Sequence, residues 1–185
     1  MDISGSERMS KKEVTRKRIR EAAWALFSER SFSSTTTREI ARRASVADGT
    51  VFSHYPNKID ILREGMEEQI SHIAKTFLAS WAGGNEHEAL VELASHFYRY
   101  YFDHIALSRS LLKEALWDLD YLRNVDDSLL PCILSATTLH DATRMRLIEN
   151  SYLMTLVRHL SHDKPCREAA INDFRAELTV ILPTN

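Results

Sequence analysis

The chain has 185 residues, of which 44% are hydrophobic and 27% charged, and its net charge is −2. This composition allows one medium domain or two small ones with a packed core. No run approaches the roughly 18 apolar residues that a membrane-spanning helix needs, and the charged N-terminus does not suit a signal peptide. We therefore expect a cytoplasmic protein without a membrane partner. Two cysteines are too few for a disulfide framework.

The charge is unevenly distributed along the chain. Residues 1–62 carry 12 Lys/Arg against 8 Asp/Glu, whereas residues 63–185 carry 12 against 18. A basic first part and an acidic remainder suit a protein that presents one end to a polyanion such as nucleic acid. The alternative is a chance asymmetry between two solvated surfaces.

Three short-range signals divide the first third of the chain into helices. Ser10 and Glu13 form a capping box, as do Thr36 and Glu39, and each is followed by apolar residues at helical spacing. Pro56 stops a further short helix, because the residue before a proline avoids helical geometry. We therefore expect helices at about 11–30, 36–44 and 48–55, with a tight turn at 45–47. Helices as short as the last two must pack on neighbours to be stable.

The remainder of the chain also follows helical periodicity. Gly83 and Gly84 interrupt the pattern, and no segment alternates as a β-strand would. Helices are expected at about 57–81, 86–104, 106–119, 139–161 and 166–181. The predicted fold is all-α, with a three-helix head at 10–56 and a helical body at 57–185.

The second and third predicted helices have the layout of a helix-turn-helix. The second helix of such a motif can enter the major groove, about 12 Å wide, only where its outward face is not bulky. Gly49 permits close approach of the backbone, and Thr50 and His54 can reach base edges or phosphates. The free N–H groups at the start of the first helix of the motif offer a seat for phosphate.

These residues carry a family resemblance. The runs STTTREIA at 34–41 and GTVFSHYPNK at 49–58, with Val46 between them, resemble the signature of the tetracycline-repressor (TetR) family over about residues 10–62. The resemblance implies a major-groove surface at Gly49, Thr50 and His54. It also implies phosphate contacts, including one from Lys58. The expected DNA-binding residues are Thr36, Thr37, Arg38, Asp48, Gly49, Thr50, Ser53, His54 and Lys58. For Arg38, His54 and Lys58, an ordinary solvated side chain is the alternative.

The sequence departs from the family pattern in and beside the turn. Ser45 stands where glycine is usual, so a positive φ there would cost more. Ala47 replaces the usual serine N-cap, which loses ~1 kcal/mol of capping, although Asp48 partly compensates through the helix dipole. Phe52 lacks the hydroxyl of the usual tyrosine, and Ser53 replaces a common second aromatic. Asp48 can also accept from a cytosine amino group, so the operator is expected to differ from common ones.

The body is rich in aromatic residues, and pockets between helices are mostly apolar. We expect a pocket for a small-molecule effector. The expected lining residues are Met66, Ile70, Phe97, Tyr101, Trp117 and Tyr121, and for each of them the alternative is ordinary core packing. The resemblance implies that the last two helices form a four-helix bundle with those of a second copy. The expected homodimer interface is Tyr152, Leu156, Leu160, Phe174 and Leu178, and the alternative is the core of a monomer.

His159, His162 and Cys166 have a metal-like spacing, but no carboxylate stands in fixed register with them. We therefore expect no metal. The chain has no glycine-rich phosphate loop and no recognisable nucleophile motif, so we expect no cofactor and no enzymatic activity.

The predicted function is a ligand-responsive transcriptional regulator. The favoured form is a repressor that a small, largely apolar effector releases from a palindromic, double-stranded DNA operator. A dimer suits such a site because it presents two reading heads about 34–36 Å apart. The alternatives are a helix-turn-helix protein without an effector, and an activator or a regulator that depends on a co-repressor.

Overall fold

A computed structural model describes residues 10–118 and 141–182, and every regular element within them is an α-helix. The all-α prediction is therefore confirmed, with shifts of a few residues at helix ends. The helices are α1 (Lys11–Arg30), α2 (Thr37–Arg43), α3 (Asp48–His54), α4 (Lys58–Ser80), α5 (Glu86–Asp103), α6 (Ile105–Ala115), α7 (Ala142–Ser161) and α8 (Arg167–Ile181). No helix in these two ranges is both long and apolar enough to cross a membrane.

Capping residues set the starts of the short N-terminal helices. The Ser10 hydroxyl accepts from the Glu13 amide, and the Glu13 carboxylate accepts in return from the Ser10 amide. Thr36 and Glu39 form the same reciprocal pair at the start of α2. Ala47 gives α3 no side-chain cap, as the sequence predicts. The first two helices therefore begin with local support that α3 lacks.

The turn between α2 and α3 is strained, and a side chain of α1 stabilises it. Ser45 has a φ of 53°, in the left-handed region that favours glycine, so the cost expected from the sequence is present. The Val46 amide donates to the Ala41 carbonyl at 3.0 Å. The Arg18 guanidinium of α1 donates to the carbonyls of Ala44 and Ser45. A charged side chain of α1 thus fixes the turn.

The chain forms two compact units, which meet between Gly65 and Met66, within α4. The first turns of α4 contact α1 through the Glu64 carboxylate, which accepts from Arg16 and Arg20. A Cβ built on Gly65 would lie 2.8 Å from the Trp24 ring, so this close approach requires glycine. The core of the N-terminal unit consists of residues that are at most 4% exposed: Ile19, Ala23, Leu26, Phe27, Ile40, Ala41, Val51, Tyr55, Ile61 and Leu62.

The C-terminal unit contains two hydrophobic clusters. One is built mainly on α5, α7 and α8, and includes Tyr98, Ile148 and Phe174. The other joins α4 to α5 through Ile70, Ala74, Phe77, Leu93 and Phe97. Tyr101 and Tyr152 pack against both clusters.

The predicted dimer interface needs correction. Its members Leu156, Leu160, Phe174 and Leu178 are at most 2% exposed in the single chain and belong to its own core. A side chain that is already covered is not available to a second copy. The apolar periodicity of α7 and α8 reveals an inward face, but it does not say whether that face covers the same chain or a partner.

Candidate nucleic-acid interface

The recognition helix α3 has one buried face and one open face. Val51 and Tyr55 are at most 1% exposed, whereas Gly49, Phe52 and Ser53 are exposed. A Cβ built on Gly49 would meet no atom within 4 Å. Nothing inside the fold therefore requires glycine at this position, which leaves room for the backbone to approach an outside partner.

Two polar residues of α3 that are predicted to contact DNA take part in hydrogen bonds within the fold. The Ser53 hydroxyl donates to the Thr50 carbonyl at 2.8 Å. The His54 carbonyl accepts from Arg16 at 2.9 Å, and its ring Nδ1 is buried without a hydrogen-bond partner.

Some polar side chains at the start of α2 already have partners within the fold. The Thr36 hydroxyl donates to the Glu39 carboxylate at 2.9 Å and thereby supports the cap of α2. Arg38 is 87% exposed, and its Nε lies 3.7 Å from an oxygen of Asp48. This exposed pair offsets the negative charge that Asp48 brings to the reading face.

Lys58 does not stand free as the predicted phosphate contact. Its ammonium donates to the carbonyls of Phe32 and Thr35, at 2.5 and 2.8 Å, and lies 4.3 Å from the centre of the Phe32 ring. Partial burial lowers the pKa of Lys58. The lysine therefore ties the start of α4 to the loop before α2. Its acceptors are main-chain carbonyls far along the sequence, which a residue pattern does not indicate.

A carboxylate of α4 joins α1 to the end of the recognition helix. Glu64 accepts from Arg16 through both oxygens, from Arg20 at 2.6 Å and from the Tyr55 hydroxyl at 3.1 Å. Burial by itself raises the pKa of Glu64, but the Arg16 guanidinium and the other donors outweigh it, so the pKa is lowered. Burial, together with the Glu64 charge, raises the pKa of Tyr55 to about 12. We call Arg16, Arg20, Tyr55 and Glu64 the Glu64 network. Sequence reasoning missed it, because only the fold brings these residues together.

The predicted effector-lining residues lie in different environments. Met66, Ile70 and Phe97 are at most 5% exposed, within the C-terminal unit. Tyr101 is half-buried between the two clusters. Trp117 lies beyond the end of α6 at Ala115 and is 89% exposed; its lining role stays a prediction. Tyr121 lies outside the described residues.

The histidines with metal-like spacing have other contacts. His159 Nε2 lies 2.8 Å from an Asp173 oxygen, and the Cys166 thiol lies 3.8 Å from an oxygen of Glu168. Across residues 10–118 and 141–182, no group of three His, Cys, Asp or Glu side chains is arranged to hold an ion. His159 is thus part of an α7–α8 contact.

The helix-turn-helix region has clear relatives. The family model of bacterial regulatory proteins of the tetR family matches residues 19–64. The HTH-type transcriptional repressor KstR of Mycolicibacterium smegmatis is 36% identical over 76 residues, which cover 40% of this chain and 37% of that protein. KstR of Mycobacterium tuberculosis is 34% identical over 76 residues, or 34% of its length. The sequence likeness to these relatives is therefore limited to about a third of their length.

Solved structures extend the likeness to the whole fold. A TetR transcriptional regulator from Rhodococcus sp. RHA1 aligns with a TM-score of 0.78 at 21% identity, over 94% of this chain and 99% of that one. Thermus thermophilus FadR, a TetR-family repressor in complex with lauroyl-CoA, aligns with a TM-score of 0.72 at 22% identity, over 90% and 93%. Three observations are consistent with one another: the family match of the N-terminal unit, the exposed face of α3, and the fold shared with the solved structures. Residues 19–64 therefore match the TetR family of bacterial regulatory proteins, and the fold is similar to that of solved TetR regulators.

Proposed function

We propose that this protein is a transcriptional repressor that binds a palindromic operator as a homodimer and leaves it when a small, largely apolar effector binds the C-terminal unit. The open face of α3 at Gly49 is the observation that carries the DNA-binding part of the proposal. Glycine lowers helix stability by about 1 kcal/mol relative to alanine. Since no neighbour within the fold needs the space, close approach to DNA is the benefit that offsets this cost.

Repression is favoured over other modes of regulation by the relatives of the head. The two KstR proteins that match this region are transcriptional repressors. A repressor needs only to occupy its site, and a reading face on α3 flanked by Arg38 and Thr37 of α2 suits such occupancy.

The dimer is supported by exposed apolar side chains on the last two helices. Leu147 and Met154 lie on one face of α7 and are 49% and 52% exposed, and Val180 of α8 is 83% exposed. Exposed apolar side chains on one helix face can mark an interaction site. We propose that these residues, rather than the buried set predicted from the sequence, face the second copy.

Effector control rests on helix α4. This helix carries Lys58 and Glu64 in the N-terminal unit, and Ile70 and Phe77 in the C-terminal unit. A ligand that prefers one position of α4 would shift the equilibrium of the head with it. FadR binds lauroyl-CoA within the same fold, which supports an effector with a large apolar part.

The test starts by selecting a duplex from a random DNA library with the full-length protein. Its affinity is then compared with that of a scrambled duplex by fluorescence anisotropy. We expect the selected site to be palindromic and to bind about 10³-fold tighter or more than the scrambled one. Equal affinities with a steep salt dependence would instead indicate a protein that coats DNA without sequence preference, and would contradict the proposal.

A further inference from the structure

The recognition helix α3 exposes one large apolar side chain. Across residues 10–65, the large hydrophobic side chains exposed at the surface are Val14 of α1 and Phe52 of α3, which are 44% and 53% exposed. Phe52 is not among the residues that the sequence predicts to contact DNA. Water is a poor environment for a phenylalanine ring, so a partner that covers the ring gains binding free energy.

Phe52 shares its side of α3 with Asp48 and Gly49. Residues three and four apart lie on the same face of a helix, and Phe52 is four residues after Asp48 and three after Gly49. The Asp48 side chain is 58% exposed, and a Cβ at Gly49 would meet no atom within 4 Å. Val51 and Tyr55 are buried on the other side of the helix. The ring therefore lies on the face that the proposed function presents to the major groove.

Both ends of α3 are held by arginines of α1, which fixes the position of the ring. Arg18 donates to two carbonyls in the turn before α3. Arg16 donates to the carbonyl of His54, the last residue of α3, at 2.9 Å. A side chain on a fixed element keeps one position relative to a bound partner. Phe52 is thus suited to select a base rather than to adapt to any DNA sequence.

The chemistry of the ring selects its contact on DNA. Phenylalanine has no hydrogen-bond donor or acceptor, so it does not hydrogen-bond to a phosphate oxygen or to a polar base edge. The C5 methyl group of thymine is the apolar group that base pairs present in the major groove, and phenylalanine is among the side chains that contact it. Adenine, guanine and cytosine carry no methyl group there.

We propose that Phe52 is a specificity-determining residue, which packs its ring against the C5 methyl group of one thymine in each operator half-site. This inference rests on the proposed function, since it names a base that the recognition helix reads. It adds Phe52 to the DNA-binding residues predicted from the sequence. In a homodimer on a palindrome, two-fold symmetry gives two such contacts, one in each half-site.

The test replaces thymine by uracil, which lacks the methyl group and pairs with adenine in the same way. One thymine at a time is replaced, symmetrically in both half-sites of the operator selected from the random library, and the affinity of the full-length protein is measured by fluorescence anisotropy. We expect one position at which the replacement weakens binding about 15-fold, or about fourfold for each methyl group lost. If no position shows such a loss, the proposal is wrong.

Phe52→Ala tests whether the ring reads the methyl group. This variant should bind the thymine and uracil operators with equal affinity, whereas Phe52→Leu, which keeps an apolar side chain, should retain part of the difference. Val14→Ala is the matched control, because it truncates the other exposed apolar side chain, and it should retain the full difference. A full difference that persists in Phe52→Ala would assign the methyl contact to another residue and would overturn the proposal.

Salt dependence separates this contact from a phosphate contact. Since the ring carries no charge, Phe52→Ala should leave unchanged both the slope of log K against log salt and the affinity for the scrambled duplex. An equal loss of affinity for the operator and for the scrambled duplex would show that Phe52 acts on the fold or on the DNA backbone, and would contradict the proposal.

The thymine contact and the proposed function fail in different ways. If selection from the random library yields no preferred duplex, both are wrong. If it yields a palindromic operator that binds equally well with uracil at every thymine, the sequence-specific regulator stands and the assignment of Phe52 is wrong.

Discussion

At the scale of single residues, Gly49 is a position where a substitution should change DNA binding without lowering stability. Because its Cβ would meet no atom within 4 Å, Gly49→Ala should leave the melting temperature unchanged or raise it, since alanine favours a helix by about 1 kcal/mol. The added methyl group would stand between α3 and the DNA, so operator affinity should fall about tenfold or more, about 1.4 kcal/mol. Anisotropy and thermal melting measure the two effects.

Gly65→Ala is the matched control for this substitution. A Cβ at Gly65 would overlap the Trp24 ring at 2.8 Å, so this variant should lose stability by about 1–3 kcal/mol. If Gly49→Ala also melts early, or binds the operator as tightly as the parent, α3 does not approach DNA through Gly49.

Lys58 provides a second residue-scale test, because its predicted and observed roles differ. Lys58→Met keeps the stem over Phe32 but removes the two hydrogen bonds to main-chain carbonyls. We expect urea unfolding to show a loss of about 1–3 kcal/mol, with the salt dependence of operator binding unchanged. A slope of log K against log salt that falls by about 1 would instead restore the predicted phosphate contact.

At the scale of elements, α3 lacks the side-chain cap with which α1 and α2 begin. Ala47 offers no side-chain cap, and its φ and ψ of −69° and 150° already suit an N-cap residue. Ala47→Ser should therefore stabilise the protein by about 0.5–2 kcal/mol in urea unfolding. Ser10→Ala, which removes the cap of α1, should destabilise by a similar amount. An unstable Ala47→Ser variant would mean that another group occupies the cap position.

The contact of α4 with α1 and α3 should be sensitive to acid. The pKa of Glu64 is lowered in the fold from its usual 4.5, so its contribution to stability is present above about pH 4.5 and is lost as the pH falls through the lowered pKa. Glu64→Gln should be less stable than the parent at pH 7 and should lose less on acidification, in urea titrations at pH 7 and pH 3.5.

Glu21→Gln, at an exposed position on α1, is the control for the acid test, and it should keep the full decline of the parent. If Glu64→Gln shows that same decline, the Glu64 network does not contribute to acid sensitivity.

At the scale of the whole molecule, assembly depends on which face of α7 and α8 meets a second copy. Met154→Glu places a charge on the exposed apolar surface, so light scattering should give a monomer at a concentration where the parent is a dimer. Arg146→Glu, also exposed on α7, should leave the dimer intact. A Met154→Glu variant that stays dimeric would place the interface elsewhere.

Substitution at the interface first predicted from the sequence should behave differently. Leu156 is 2% exposed in the single chain, so Leu156→Ala should lower the unfolding free energy by about 2–5 kcal/mol. A folded monomer is not the expected product, because this side chain packs in the core of its own chain.

The sequence by itself determined the features that act over a few residues. The capping boxes at Ser10 and Thr36, the costly turn at Ser45 and the uncapped Ala47 were all predictable, because each depends on main-chain geometry within one helical turn. Helical periodicity likewise determined the all-α fold and most helix ends.

Only the tertiary structure decided which partner each side chain takes. Lys58 bonds to carbonyls 23 and 26 residues away, and the Tyr98 hydroxyl bonds to a carbonyl 54 residues away. A residue pattern shows that a cation or an apolar face exists. Which atoms bind that cation, or cover that face, depends on how the helices pack. For the same reason, helical periodicity alone does not distinguish the core residue Leu156 from a residue that faces a second copy.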